Sequence, residues 1–291
     1  CVVPFTRGRE RSRDAHSIVN EVQELSKAGY REVTLLGQNV DSYKWASEDG
    51  SENVNFATLL ALVAEVDSNI RVRFSTSHPK DITDEVLHTI QAYDNICKYI
   101  HLPVQSGSSR ILKEMNRGHN REEYFDLIDR IRRIIPGCGL SQDMIAGFPG
   151  ETEEEFAELL AFLDEAQLDR VGCFAYSPVD GTSANLIPGA LPDDIREERR
   201  DRLMLHQAEI SRERLKRWKW RRLQILIDTL QLSEDGELLG AVGRSASDAP
   251  EIDGVVYLRP HQSLKVGQFV TARITRSDHY DLYGSVVKSS H

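Results

Sequence analysis

Four polar segments follow apolar runs in the first half of the chain, and their side chains are of the kind that bind small polar ligands. They read GQN at 37–39, STSHP at 75–79, QSGSSR at 105–110 and GFPGET at 147–152. Amide and hydroxyl groups donate and accept hydrogen bonds, and imidazole adds a group that titrates near neutral pH. Any one of these segments is also ordinary turn chemistry. Four in succession predict a single polar mouth.

The elements that position these segments alternate between strand-like and helical patterns. The predicted strands cover residues 33–39, 70–77, 98–106, 139–148 and 170–177. Helical patterns lie between them, such as the one that begins at Thr152 with Glu155 in capping-box spacing, and this alternation indicates a parallel sheet with helices outside it. With a short strand at Val2 and Val3, about six strand–helix units predict an α/β fold with a partial, open six-stranded barrel. Functional residues of such barrels gather at the carboxyl ends of the strands.

The last third of the chain has a different pattern. A long, charge-rich helical segment begins near residue 191, and short apolar runs follow it, separated by Gly, Asp and Ser. The runs predict a small, closed five-stranded β-barrel of the oligonucleotide-binding type, and they cover residues 223–228, 254–258, 268–275 and 282–287. The predicted domains are therefore a barrel at 1–190, a connector helix at 191–221 and a β domain at 222–291.

The net charge and the apolar content of the sequence limit the classes of function that the protein can have. The 291 residues carry a formal net charge of −10, which argues against a protein that coats nucleic acid indiscriminately. Residues 209–222 depart from that balance, with seven Lys or Arg and two Glu. The sequence shows neither an apolar run of about eighteen residues nor a signal-like start, so we expect a cytoplasmic protein without membrane contact.

The cysteines form neither a metal-binding nor a disulfide pattern with one another. Cys97, Cys138 and Cys173 are widely spaced in apolar, strand-like surroundings, which is typical of buried structural thiols. Cys1 is followed directly by VVPFTRGRERSR. Only Cys1 therefore remains open as a functional cysteine.

Five segments together resemble the radical-SAM methylthiotransferases, the family that contains MiaB and RimO. They read CVVPFTRGRERSR, LLGQNVDSY, RFSTSHPKD, HLPVQSGSSRIL and GFPGETEEEF, and the likeness extends over essentially the whole chain. The resemblance implies that Cys1 is the third cysteine of a CxxxCxxC motif, which binds a [4Fe-4S] cluster whose open iron chelates S-adenosylmethionine. It also implies a carboxyl-terminal TRAM domain, a second cluster in the complete enzyme and an electron donor such as a flavodoxin.

The first two cysteines of that motif and the amino-terminal domain of the family are not part of this sequence. We therefore expect the chain as given to be inactive. Activity is expected of the complete enzyme, which we expect to be a monomer.

The resemblance divides the chain by substrate. Residues 1–143 resemble MiaB, which methylthiolates an isopentenylated adenosine next to the tRNA anticodon. Residues 144–291 resemble RimO, which methylthiolates an aspartate of a small-subunit ribosomal protein. Residues 223–291 hold six Lys or Arg against nine Asp or Glu, which suits a basic protein partner better than RNA.

The pocket near the reacting carbon lies largely in the MiaB-like half, and specificity for the chemical step belongs to that pocket. The basic connector, with Trp218 and Trp220 among its cations, would also support RNA by charge and stacking, or the two tryptophans pack on the barrel. We therefore take tRNA as the lead substrate and the ribosomal protein as the alternative. A non-catalytic RNA- or ribosome-binding fragment is a further alternative.

Candidate site residues follow from the strand ends and from the resemblance. Amide side chains suit the zwitterionic methionine of the cofactor, and a carboxylate in the lumen suits ribose hydroxyls. The predicted cofactor-binding residues are Gly37, Gln38, Asn39, Ser75, Ser77, Gln105, Ser106, Gly107 and Asp143. The predicted substrate-binding residues are Arg7, Arg9, Arg13 and His78, and Cys1 is the predicted catalytic residue and metal ligand. Structural alternatives are a polar turn for Gln38 and Asn39, a hydrogen-bonding role for His78 and a buried ion pair for Asp143.

Overall fold

Parallel strands with helices on their outer side form the first part of the molecule. The computed structural model describes residues 8, 10–75 and 77–287, and no helix within them is long and apolar enough to cross a membrane. In chain order the elements are α1 (Ala15–Lys27), β1 (Glu32–Leu36), β2 (Lys44–Ala46), β3 (Asn53–Asn55), α2 (Phe56–Ala64), β4 (Arg71–Ser75), α3 (Asp84–Ala92), β5 (Tyr99–His101), α4 (Ser109–Glu114), α5 (Arg121–Ile134), β6 (Gly139–Ala146), α6 (Glu153–Ala166) and β7 (Arg170–Ala175). The α/β class predicted from the sequence is confirmed.

The strands of the barrel are parallel wherever they pair. β1 pairs with β4 from Glu32↔Arg71 to Leu36↔Ser75, and β6 lies between β5 and β7. The hairpin of β2 and β3 stands apart from them. The five barrel strands form an open arc, and the sixth strand predicted at Val2 and Val3 lies outside the described residues.

The helix boundaries follow from capping residues. The Thr152 hydroxyl accepts from the Glu155 amide (3.2 Å), and the Glu155 carboxylate accepts from the Thr152 amide (3.0 Å). This reciprocal pair satisfies amides that the start of a helix leaves without partners. At the other end of a helix, Gly29 follows α1 with a φ of +92°, a conformation that glycine adopts without strain. The boundary at Thr152 agrees with the capping-box spacing of the sequence.

The strands are shorter than the sequence predicts. They end at residues 36, 75, 101, 146 and 175, whereas the apolar runs extend two to five positions further in the sequence. The polar segments turn away from the sheet and form loops over its carboxyl edge. This placement is the one expected for a polar mouth.

A long helix and a closed barrel complete the chain. The elements are α7 (Asp193–Leu215), β8 (Arg222–Leu232), β9 (Leu238–Arg244), β10 (Val256–Leu258), β11 (Phe269–Ser277) and β12 (Leu282–Val286). The strands close in the order β10-β12-β11-β8-β9, which confirms the predicted five-stranded barrel. The apolar runs of the sequence miss β9, because glycine weakens a strand pattern. A Cβ at Gly243 would lie 2.3 Å from the Leu226 carbonyl oxygen, so the close pairing with β8 requires glycine there.

A buried charge network joins the two domains. Glu32, at the amino end of β1, accepts from Arg73 (3.3 Å) and from Arg244 of β9 (2.7 Å), and lies 3.4 Å from Arg71. Arg71 also donates to the carbonyls of Arg244 and Ser245, both at 3.2 Å. Removing one partner of such a buried network leaves an uncompensated charge. The network therefore fixes the β domain against the amino end of the barrel.

Glu32→Gln tests this network. Burial alone would raise the pKa of Glu32, but Arg73, Arg244 and Arg71 outweigh burial and lower that pKa. A lowered pKa means that the carboxylate stabilises the fold at neutral pH and that this stabilisation is lost as pH falls through the folded pKa. We expect Glu32→Gln to reduce the free energy of unfolding by about 3 kcal/mol at neutral pH, measured by urea denaturation, and to flatten its acid dependence.

Glu21→Gln is the matched control. Glu21 pairs with Arg13 on the surface, and its side chain is 55% exposed. Exposed pairs contribute little to stability, so this variant should unfold like the unmodified protein. Equal losses of stability in the two variants would show that the buried network contributes no more to stability than the exposed ion pair.

Candidate active site

A cavity of about 900 Å³ occupies the lumen of the barrel. Successive residues of a strand point to opposite faces, so alternate side chains of the parallel strands line the cavity. Its volume lies within the range of small-molecule sites. Its polar walls include Thr34, Ser75, His101, Ser141, Asp143 and Arg170.

The centre of the lumen is polar. The His101 ring bonds through Nδ1 to the Ser141 hydroxyl (2.9 Å), and its Nε2 lies 3.5 Å from the Asp143 carboxylate. The Asp143 side chain is 39% exposed, which leaves room for a ligand. A Cβ at the neighbouring Gly172 would lie 2.9 Å from Asp143 Oδ1, so a larger residue there would shift the carboxylate. The sequence analysis selects Asp143 as a candidate site residue but not His101, although His101 directly precedes the polar loop after β5.

The β domain supplies the floor of the cavity. Tyr99 donates to Asp253 (2.6 Å), and Arg170 donates to Asp248 (2.8 Å). Both carboxylates belong to residues 245–254, between β9 and β10, which we call the floor loop. These four side chains lie at the amino ends of the strands or on the floor loop, so the floor loop forms part of the cavity wall opposite the mouth.

Buried oxygen atoms without partners lie at the carboxyl ends of β1 and β4. Within the described part of the chain, Asn39 Oδ1 and Asp41 Oδ1 accept no hydrogen bond, although buried polar atoms nearly always have a partner. The other Asp41 oxygen accepts from the His78 amide (3.1 Å), and Asn39 Nδ2 donates to Asp81 (2.6 Å). The buried Ser77 hydroxyl lies beside the Asp41 carboxylate. Two unused acceptors beside a carboxylate fit the ammonium group of a ligand.

The predicted residues at the end of β1 border a second cavity, of about 1260 Å³. They are Gly37, Gln38 and Asn39. Arg13 borders it too, but its guanidinium donates to the Ser17 hydroxyl (2.8 Å) and pairs with Glu21. Arg13 is therefore engaged with α1. The predicted Cys1, Arg7 and Arg9 lie outside the described residues.

The loop after β5 is held by its backbone. Gln105 has a φ of +81°, and its amide donates to the Asp143 carbonyl (3.2 Å). The Ser106 side chain is buried. A Cβ at Gly107 would lie 2.8 Å from Leu159 Cα, so glycine is required for packing against α6. Gln105, Ser106 and Gly107 do not line the lumen cavity, and their role in binding the cofactor stays a prediction.

His78 is held by local contacts. Its Nδ1 accepts from the Lys80 amide (3.3 Å) and lies 3.6 Å from the Asp81 carboxylate. Burial lowers the pKa of His78. His119, which the sequence analysis missed, lies 6.2 Å away between ring centroids, and burial lowers its pKa to about 4. His119 is therefore neutral at physiological pH.

The three internal cysteines are structural. Cys97, Cys138 and Cys173 are buried, as the sequence predicts. Burial raises the pKa of Cys138 and of Cys173 to about 12, so these thiols are protonated at neutral pH, whereas metal ligands are thiolates. Across residues 8, 10–75 and 77–287, no group of three or more His, Cys, Asp or Glu side chains could hold a metal ion.

Comparison with known families identifies the class of the chain. The family model of the radical SAM superfamily matches residues 1–163, and that of the TRAM domain matches residues 221–287. The chain belongs to the radical SAM superfamily. The radical SAM match covers the barrel into α6, and the TRAM match covers the closed barrel of β8 to β12.

Curated relatives are similar over nearly the whole radical SAM and TRAM chain. It is 46% identical, over 98% of its length, to the tRNA-2-methylthio-N(6)-dimethylallyladenosine synthase of Amoebophilus asiaticus. It is 43% identical, over 99% of its length, to the synthase of the same name from Bacteroides fragilis. The chain covers 59% and 61% of these two proteins, so it spans about three fifths of their length. Among solved structures, the alignment with methylornithine synthase covers 71% of this chain and 57% of the synthase chain, with 15% sequence identity and a TM-score of 0.48.

Asp41→Asn tests the buried acceptor site. Burial raises the pKa of Asp41 to about 6 from an ordinary 3.8, against the opposing effects of the nearby Ser77 hydroxyl and of the His78 amide, which donates to Asp41. The folded state then binds a proton more tightly than the unfolded chain, so stability falls as pH rises from about 4 to about 6 and stays lower above that range. We expect Asp41→Asn to raise the free energy of unfolding by about 1–3 kcal/mol near pH 8, with little effect near pH 4.

Urea denaturation across that pH range measures the effect, with Asp81→Asn as the control. Asp81 is a neighbouring carboxylate whose side chain is 45% exposed, and its variant should change stability little at either pH. Destabilisation by Asp41→Asn near pH 8 would mean that ionised Asp41 is well solvated or paired, contrary to a raised pKa.

Proposed function

We propose that the complete protein is a methylthiotransferase that converts a C–H bond of an isopentenylated adenosine, next to the tRNA anticodon, into C–SCH3. The observation that carries this proposal is the similarity to tRNA-2-methylthio-N(6)-dimethylallyladenosine synthases, which extends across both domains of the chain. Because the chain spans about three fifths of those relatives, the activity is proposed for the complete protein.

The residues at the mouth fit S-adenosylmethionine. Asn39 and Asp41 would accept hydrogen bonds from its ammonium group, and Asp143 would accept from its ribose hydroxyls. When bound, S-adenosylmethionine and a [4Fe-4S] cluster supply the oxidising power that removes hydrogen from an unactivated C–H bond. By resemblance, Cys1 is one ligand of that cluster, and a second cluster that handles sulfur belongs to the part of the protein outside this chain.

The lumen residues would position the substrate adenosine. His101 is held by Ser141 and faces Asp143, so a group that bonds to Asp143 would lie beside its ring. The floor loop is held at the amino end of the barrel through Tyr99 and Arg170.

A basic and aromatic surface of the TRAM domain supports RNA as the substrate. In the register of adjacent strands, Arg222 lies opposite Arg273, and Tyr283 lies opposite both Arg276 and Tyr257. The Arg276 guanidinium lies 3.7 Å from the Tyr283 ring centroid, and the two tyrosine rings stack at 5.2 Å. We call these five residues the TRAM face. Cations interleaved with aromatic rings bind phosphates and stack on bases.

Trp220 extends the TRAM face. Its side chain is 58% exposed, with Lys219 Nζ 5.4 Å and Arg273 Cζ 5.8 Å from its ring. Trp218, by contrast, packs against the core of the TRAM barrel. The sequence left open whether the two tryptophans pack on the barrel or stack on RNA; Trp218 packs, and Trp220 is exposed. An exposed indole beside two cations is a stacking platform for a base.

The negative charge of the TRAM domain is largely used inside the protein. Five of its nine acidic side chains make internal contacts, which are Asp228 with Arg244, Asp248 with Arg170, Asp253 with Tyr99, Asp278 with Tyr283 and Asp281 with the Val255 amide. The excess of acidic residues in the sequence therefore overstates the negative charge that a partner would meet at the surface of the TRAM domain. This weakens the case for a basic ribosomal protein as the substrate.

The substrate assay uses the complete protein with anaerobically reconstituted clusters, S-adenosylmethionine and a reductant. Isopentenylated tRNA and the small-subunit ribosomal protein are offered together, and mass spectrometry follows both. We expect a methylthio group on the tRNA. Label on the protein would replace our proposal by the ribosomal alternative, and label on neither would favour a binding module without catalysis.

Arg273→Ala combined with Arg276→Ala tests the TRAM face. Loss of two phosphate contacts should weaken binding of the anticodon stem-loop about tenfold near 0.15 M salt and reduce the salt dependence by about two charges. Fluorescence anisotropy at several salt concentrations measures both quantities. The control is Lys265→Ala combined with Arg259→Ala, because both residues are exposed and lie between β10 and β11, outside the TRAM face. Equal losses in the two double variants would mean that the TRAM face binds no RNA.

A further inference from the structure

Part of the lumen cavity is apolar and exposed. Leu36 is 76% exposed, Phe174 is 60% exposed and Ile252 is 85% exposed, and all three line this cavity together with Met204. Large apolar side chains that share one concave surface mark a site for an apolar ligand or partner. The binding of polar groups in the lumen does not explain why these three large apolar side chains are exposed there.

The third of these residues belongs to the floor loop, which is held from both sides. Next to Ile252, Asp253 accepts from the Tyr99 hydroxyl (2.6 Å) and from the Ala249 amide (2.8 Å). Asp248 is paired with Arg170. Ile252 is therefore presented to the cavity by an anchored backbone, and its exposure is not that of a free surface loop.

The TRAM face continues to the edge of the same cavity. Tyr280 and Asp281, in the turn between β11 and β12, line the cavity. Asp278 holds this turn by accepting from the Tyr280 and Asp281 amides (3.0 and 2.8 Å), and it accepts from the Tyr283 hydroxyl (2.7 Å). An RNA strand on the TRAM face would thus have one nucleoside within reach of the cavity.

We infer that Leu36, Phe174 and Ile252 receive the hydrocarbon substituent of the substrate adenosine, so that the floor loop of the TRAM domain helps to select prenylated from unprenylated tRNA. This inference rests on the proposed function. A short branched hydrocarbon has no hydrogen-bonding groups, so only burial against apolar surface can recognise it. The arrangement supplies that surface beside the polar lumen, where the base and the ribose would lie.

Ile252→Ser in the complete protein tests this role. The probes are two anticodon stem-loops that differ only in the dimethylallyl group of one adenosine, and fluorescence anisotropy gives the affinity for each. We expect Ile252→Ser to lower the preference for the prenylated stem-loop about fivefold, with an unchanged affinity for the unprenylated one. Phe174→Ala should lower the same preference. Val266→Ser is the control, because Val266 is 61% exposed in the TRAM domain and does not line the cavity.

The outcomes separate the two proposals. A protein that binds neither stem-loop would overturn the RNA substrate and this inference with it. Binding of both stem-loops with a preference that Ile252→Ser and Phe174→Ala leave unchanged would overturn the inference alone. Thermal unfolding of each variant shows whether a loss of preference reflects a loss of fold, and Ile252→Ser should melt like the unmodified protein because the side chain is exposed.

Discussion

The closed end of the barrel depends on one buried carboxylate. Glu32 faces three guanidinium groups, those of Arg71, Arg73 and Arg244. Asp228 adds a second negative charge beside Arg244, and carbonyl groups such as that of Ser245 accept from Arg71 and Arg73. If the floor loop moved away, these buried guanidinium groups would lose their acceptors. The TRAM domain therefore forms a wall of the barrel.

The same constraint explains why small residues stand at the amino end of the barrel. A Cβ at Gly139 would lie 2.9 Å from the Tyr99 ring and 3.7 Å from Ser247 of the floor loop. Tyr99 itself bonds to Asp253, so a larger residue at position 139 would displace either the ring or the loop. The contacts between the domains thus also hold the floor loop against the amino end of the barrel.

Short-range physics made part of this structure predictable from the sequence. The capping pair of Thr152 and Glu155 involves only four consecutive residues. The polar residues at the strand ends predicted the mouth, where Asn39 lies. The floor was not predictable, because Arg71 and the Ser245 carbonyl that it contacts are 174 positions apart. In RVRFS the two arginines have the spacing of a half-exposed strand. Both are buried instead, because a second domain covers that edge.

The division of the sequence into a MiaB-like and a RimO-like half suggests that one half selects the substrate, but residues of both halves line the cavity. Leu36 and His101 come from the first half, and Asp143 lies at the seam. Phe174 and Ile252 come from the second half, and they face the same space. A substrate in this lumen would touch both halves at once, so its selection is a property of their joint surface. A charge count along the sequence assigns the acidic residues of the TRAM domain to solvent, whereas Asp228, Asp248 and Asp253 bond to Arg244, Arg170 and Tyr99 inside the protein.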